Sequence, residues 1–227
     1  MARVKRAKAA VRLARWAVGL SQTGLPPWCV DSIQHGMFQY GYKGIQMLKN
    51  PFDLALYSLL IGRERPRTIV EIGTYKGASA LWLADQQTVH GIDGMVHSLD
   101  IDPVELPADA RVVLHRGNAR DIKSLFPSDW IAAQPRPLLV IDDGDHTPES
   151  VMCVLEHFAE HMRRGEYLVV EDGSVGDLGV ARTFRGGPVV AIHRFIARGG
   201  PFEIDRSYCD LYGRNMTWNI DGYLRRV

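Results

Sequence analysis

The chain has little cysteine: Cys29, Cys153 and Cys209 are the three thiols in 227 residues. They lie far apart and are odd in number. That excludes a disulfide framework and the paired spacing of zinc or redox motifs, and leaves reduced thiols as the expectation. No apolar run approaches the ~20 residues that span a bilayer, so the expected location is the cytoplasm. An excess of either charge is missing too, with 27 Lys and Arg against 26 Asp and Glu for a net charge of +1. That balance argues against a molecule-wide nucleic-acid surface, and no nucleic-acid partner is expected. Internal repeats and low-complexity linkers are also absent. The length holds one full α/β domain with modest additions rather than two domains.

One-sided charge does occur at the start. Arg3, Lys5, Arg6, Lys8, Arg12 and Arg15 precede the first acidic residue, Asp31. Val4, Ala7, Val11, Ala14 and Val18 recur at helical spacing, which predicts a basic amphipathic helix. Basic residues interrupt the stretch where a secretory signal would need its apolar core. Residues 1–49 are therefore read as a helical extension, a lid or a contact between subunits, ahead of a domain over 50–227. Membrane contact through residues 1–20 is the alternative.

Along that domain, short apolar strands alternate with helices. Asn50, Pro51 and Asp53 open a helix over 50–62, with Gly62 as its stop. Strands follow at Thr68–Ile72, Met95–Leu99, Arg111–His115, Leu138–Ile141 and Tyr167–Val170. Helices are read at Gly77–Val89, from Pro148, and at Pro188–Ala197. This rhythm predicts a doubly wound, Rossmann-like α/β sheet that is mostly parallel. Two last strands, near Phe202–Asp205 and Met216–Ile220 with no helix between them, would add an antiparallel C-terminal edge.

Two nucleotide motifs are missing. A dinucleotide fingerprint needs a glycine where Tyr75 stands in Gly73-Thr74-Tyr75-Lys76-Gly77, and a Walker lysine would follow the last glycine instead of preceding it. Glu71 adds a negative charge close by. These features disfavour a diphosphate and suit a ligand with a cationic amino-acid end, as in S-adenosylmethionine (SAM). Asp100, one strand and helix downstream, is placed for ribose hydroxyls.

What is present is a run of polar strand ends: Glu71, Asp100, Asn118, Asp142 with Asp143, and Glu171 with Asp172. In an open parallel sheet these ends converge on one crevice. Adjacent carboxylates repel unless a cation lies between them. Hard oxygen donors without cysteine point to Mg²⁺ rather than zinc. Asp145 is read alternatively as a helix cap, and His157 with His161 as packing residues.

These motifs together resemble the cephalosporin-hydroxylase-like family of class I SAM-dependent methyltransferases. The resemblance rests on Val70–Ala84, Ser98-Leu99-Asp100, Asp143-Gly144-Asp145-His146, Val170-Glu171-Asp172, Lys49-Asn50-Pro51-Phe52-Asp53 and Gly222-Tyr223-Leu224, and runs from about residue 40 to the C-terminus. Catechol-type and macrocin-type sugar O-methyltransferases share parts of it. The resemblance implies that Gly73, Tyr75, Gly77 and Ser79 surround the methionine end of SAM, Asp100 its ribose, and Asn118 with Ala119 its adenine. It implies Mg²⁺ on Asp143, Glu171 and Asp172, and an oligomeric assembly. His146 stands where catechol-type enzymes carry a lysine base, and its ordinary pKa of ~6.5 suits proton acceptance near neutrality.

The expected activity is O-methylation of a small hydroxylated natural product, a sugar, glycoside or phenol, in antibiotic or other secondary metabolism. A nicotinamide oxidoreductase, a non-catalytic SAM-binding subunit serving a hydroxylase, and a glycolipid sugar O-methyltransferase are the competing readings.

Overall fold

The structure, a computed structural model, describes residues 10–15, 17–19, 21–102 and 104–227. Arg3, Lys5, Arg6 and Lys8, with Val4 and Ala7, lie outside the described residues. Residues 10–15 are helical, with Val11 and Val18 exposed, and Arg12 pairs with Asp31 at 2.7 Å. Helix α1 (Pro27–Met37) and a small hairpin, β1 (Gly41–Tyr42) with β2 (Ile45–Gln46), complete the segment ahead of the domain. No helix among the described residues is long and apolar enough to cross a membrane.

Helix α2 (Pro51–Glu64) starts as its sequence dictates: the Asn50 side chain accepts the Phe52 N–H, and Pro51 needs no partner for its nitrogen. It runs past Gly62 to a left-handed Arg65. Gly62 is a packing residue instead of a stop, because a Cβ there would come within 2.8 Å of the His90 ring.

The main sheet has seven strands in the order β5-β4-β3-β6-β7-β9-β8. These are β3 (Thr68–Ile72), β4 (Met95–Asp100), β5 (Val112–Arg116), β6 (Leu138–Asp142), β7 (Tyr167–Val170), β8 (Phe202–Ile204) and β9 (Tyr223–Arg226). The first five are parallel, and β9 joins antiparallel to both β7 and β8. Two short helices, α4 (Ile122–Leu125) and α5 (Ser128–Ala133), follow β5, and alternation sends Val70, Val140 and Leu168 to one face, beneath α6 (Pro148–Ala159) and α7 (Pro188–Ala197). Ile69, Leu139 and Val169 face the other way, toward α2 and α3 (Ala78–Val89). Both faces are therefore covered, as the near-continuous apolar strands require.

The C-terminal edge corrects one expectation. Residues 216–220 are a buried turn and β9 follows them, with a short helix, α8 (Arg206–Cys209), after β8. The apparent strand is capped from far away: the Trp218 N–H donates to Asp53 Oδ2 at 3.0 Å, and Thr217 bonds the same carboxylate. A side chain on α2 thus takes the backbone partner that a neighbouring strand would have supplied.

At the opposite edge, His97 packs edge-on against Trp130 at 4.8 Å, and its Nδ1 lies 3.1 Å from His115 Nε2. Burial, helped by the neighbouring His115, pushes His97 down to about 4. The unfolded chain then binds the extra proton between about 6.5 and about 4. The His97 contribution to stability should be flat above that window and fall as the pH drops through it. Thermal melts across pH check this, and His97→Gln should flatten the slope; an equally steep slope in the variant would assign it elsewhere.

Candidate active site

Chain order reverses between β3 and β6, and a cavity of about 480 Å³ opens at the strand ends there. Its floor is backbone. The Gly73 N–H donates to Leu99 O at 2.8 Å, the Asp143 N–H to Ile72 O at 2.8 Å, and the Glu171 N–H to Asp142 O at 2.9 Å. Gly73 has φ +99°, and a Cβ on it would meet the Asp143 carbonyl oxygen at 2.0 Å. Only glycine allows the β3–α3 turn to lie this close to the end of β6.

One half of the cavity is lined by Gly73, Tyr75, Gly77, Ser79 and Asp100, with Asn118 and Ala119 beyond them. The Tyr75 N–H donates to Asp100 Oδ2 at 2.7 Å, and the Asp102 N–H to Oδ1 at 3.2 Å. Asn118 caps the following turn by accepting the Arg120 N–H at 2.9 Å. Glu71 is fully buried and lies off the cavity wall. Its Oε2 accepts the Ser98 hydroxyl, its Oε1 has no partner, and burial raises its pKa against the pull of Lys49.

The other half carries Asp143, His146 and Asp172, with one donor atom of each within 4.8 Å of the others. His146 Nε2 is 3.3 Å from Asp172 Oδ2, and the edge of Phe184 packs on the imidazole at 5.4 Å. Burial depresses the imidazole, but Asp172, Asp143, Asp142 and Glu171 outweigh it and hold the pKa above its ordinary value. His146 and Asp172 both adopt left-handed backbone, at φ 56° and 55°. For side-chain-bearing residues that conformation is strained, and such strain concentrates at working sites.

Asp142 is not part of the cavity wall; burial pushes it up to about 7, and its Oδ2 has no partner among the described residues. Asp145 lines the wall but serves the turn into α6, accepting the Thr147 N–H at 2.9 Å. His157 bonds the Phe126 carbonyl oxygen at 2.8 Å, and His161 the Ser128 hydroxyl at 3.2 Å, so both are packing residues.

Glu171 is turned inward. Its Oε1 accepts the Tyr57 hydroxyl at 2.8 Å and the Lys49 ammonium at 2.6 Å. Lys49 Nζ also reaches Asp143 Oδ2 at 2.7 Å, and the side chain is only 7% exposed. Burial disfavours its charge, yet Asp143, Glu171 and Glu71 raise its pKa overall. The sequence displays Lys49 only as the residue before a helix cap. Its partners lie 94 and 122 residues away, beyond any local pattern. Tyr57, an apolar-face residue of α2, is equally silent there. Gln34, Met37 and Phe38 at the end of α1, and Gln46 of the hairpin, roof the cavity.

A sheet of this order with its crevice at the switch point is the class I SAM-dependent methyltransferase fold. Residues 35–227 match the family described as Rhamnosyl O-methyltransferase/CmcI, and the chain belongs to that family. The Rhamnosyl O-methyltransferase of Mycobacterium leprae (strain TN) is 28% identical over 194 residues, which is 82% of this chain and 82% of the relative. Among solved structures, CmcI with Mg and SAM is 27% identical with a TM-score of 0.66, and covers 84% of this chain and 77% of that one. The apo-structure of CmcI is 28% identical with a TM-score of 0.68 at the same coverage.

Proposed function

We propose that the protein is a SAM- and Mg²⁺-dependent O-methyltransferase that acts on a sugar hydroxyl of a small natural-product glycoside. The observation that carries this reading is one cavity with two chemically distinct halves, a glycine turn with Asp100 facing a carboxylate–imidazole cluster. The rhamnosyl relative, similar over most of both chains, supports a sugar over a phenol.

The residues fit a divalent ion. Asp143 and Asp172 bring hard oxygen donors from two neighbouring strand ends and, with His146, place donor atoms within 4.8 Å of one another, whereas Glu171, expected as a third carboxylate ligand, is held behind the wall by Lys49 and Tyr57. When bound, SAM would supply the methyl group, and an ion held by Asp143 and Asp172 would lower the pKa of the acceptor hydroxyl. Gly73, Tyr75, Gly77 and Ser79 take the methionine end, Asp100 the ribose, and Asn118 with Ala119 the adenine side. Glu71 contributes negative potential from below the wall to the cationic end of SAM. His146 accepts the hydroxyl proton through the ring nitrogen that does not face Asp172, and Asp172, 3.3 Å from Nε2, stabilises the imidazolium that forms. Phe38 and Gln46 line the cavity on the side of the N-terminal segment.

Calorimetry tests the cofactor. SAM should bind, NAD(H) and NADP(H) should not, and Asp100→Ala should weaken SAM about tenfold or more through the lost ribose acceptor and the freed Tyr75 N–H. Tight nicotinamide binding without SAM heat would overturn the reading. Turnover of rhamnosides but not of catechols, followed by mass spectrometry, tests the acceptor class.

A further inference from the structure

Among the described residues, the carboxylates Asp143, Glu171 and Asp172 meet one buried ammonium, that of Lys49, and no arginine. The lysine bonds two of the three at 2.6 and 2.7 Å. The Tyr57 hydroxyl donates to the same Glu171 oxygen that the lysine bonds. Glu71, which also feels the ammonium, bonds Ser98 and stands outside this donor set.

We propose that Lys49 is the built-in counter-cation of this centre: it holds the Asp143 and Glu171 carboxylates together in the metal-free protein and sets the charge that a bound ion must supply. The inference rests on the Mg²⁺ reading above and adds to it a role for a residue of this chain. The three carboxylates outnumber the one ammonium, and a divalent ion offsets the excess negative charge that remains. Without the lysine, the metal-free protein would bury like charges that only metal could offset, and such uncompensated burial is strongly destabilising. With it, the donors stay assembled before metal arrives. The cost is affinity, because the ammonium competes for the Asp143 carboxylate and repels the incoming ion.

The experiment is Mg²⁺ calorimetry together with thermal melts, in EDTA and in saturating Mg²⁺, on the wild type, Lys49→Met and Lys49→Arg. Wild type should melt within a few degrees in the two conditions. Lys49→Met should lose stability in EDTA, recover most of it with Mg²⁺, and bind Mg²⁺ at least about fivefold more tightly. Lys49→Arg, which keeps the charge, should respond to metal as the wild type does. A Lys49→Met protein equally destabilised with and without Mg²⁺, or with unchanged or weaker Mg²⁺ affinity, would overturn the inference and leave the metal reading standing. If Lys49→Met cannot be purified folded, the wild type decides: unfolding on EDTA treatment means the ammonium does not substitute for metal, and survival supports the role. Absence of Mg²⁺ heat in the wild type would overturn both readings together.

Discussion

Asp143→Ala should abolish metal-dependent methyl transfer while leaving a folded protein that still binds SAM. The side chain faces the cavity and bonds only Lys49, whereas the backbone of the same residue stitches β6 to β3 through its N–H and crowds Gly73 through its carbonyl. The substitution removes the first and keeps the second. It also takes one negative charge from a crowded cluster, so the cost in stability should be small beside the catalytic loss. A Lewis-acid site contributes several kcal/mol of transition-state stabilisation, which corresponds to a rate loss of about 10³-fold or more. Chelation should reproduce the defect in the wild type, and Mg²⁺ should reverse it there but not in the variant. The measurements are turnover, SAM calorimetry and circular dichroism on the same preparations. An enzyme fully active after exhaustive EDTA treatment would remove the metal from the mechanism.

His146→Ala should separate proton transfer from binding. SAM and Mg²⁺ affinities persist, and the rate falls by ~10²–10⁴, the range usual for a lost general base. The carboxylates around the imidazole outweigh its burial and raise its pKa, so the wild type should lose activity on the acid side as the imidazole becomes protonated. That acid limb should vanish in the variant, with part of the rate regained at high pH, where the acceptor hydroxyl ionises unaided. Unimpaired turnover in His146→Ala would place the base elsewhere.

Much of the framework could be read locally. Thr68–Ile72, Tyr167–Val170 and Pro188–Ala197 have the boundaries their apolar runs and flanking Gly and Pro residues imply. The polar strand ends do gather at one crevice, because parallel register aligns Ile72 with Asp142 and Asp142 with Val170. What local reading misses is set by distant partners. Residues 216–220 alternate like a strand, but the Asp53 carboxylate takes the Trp218 N–H. The hairpin Gly41–Gln46 is too short to leave a periodic signal. Glu71 and Glu171 sit at strand ends yet lie behind the wall: alternation fixes which face of the sheet a side chain takes, not how far a long side chain reaches back into the core. Lys49 belongs to the same class, since nothing near it in the chain displays the acids that hold it.

The contact of Gly73 with the Asp143 carbonyl makes the two halves of the cavity a single rigid gauge. On the proposed reading, the separation between methyl donor and acceptor oxygen would be set largely by main-chain atoms of adjoining strands. Acceptor preference would then be expected to drift first at Phe38, Gln46 and their neighbours on the cavity wall. A retargeting library confined to those roof positions should yield altered acceptors at near-native transfer rates, whereas one aimed at Gly73 or its flanks should yield inactive protein.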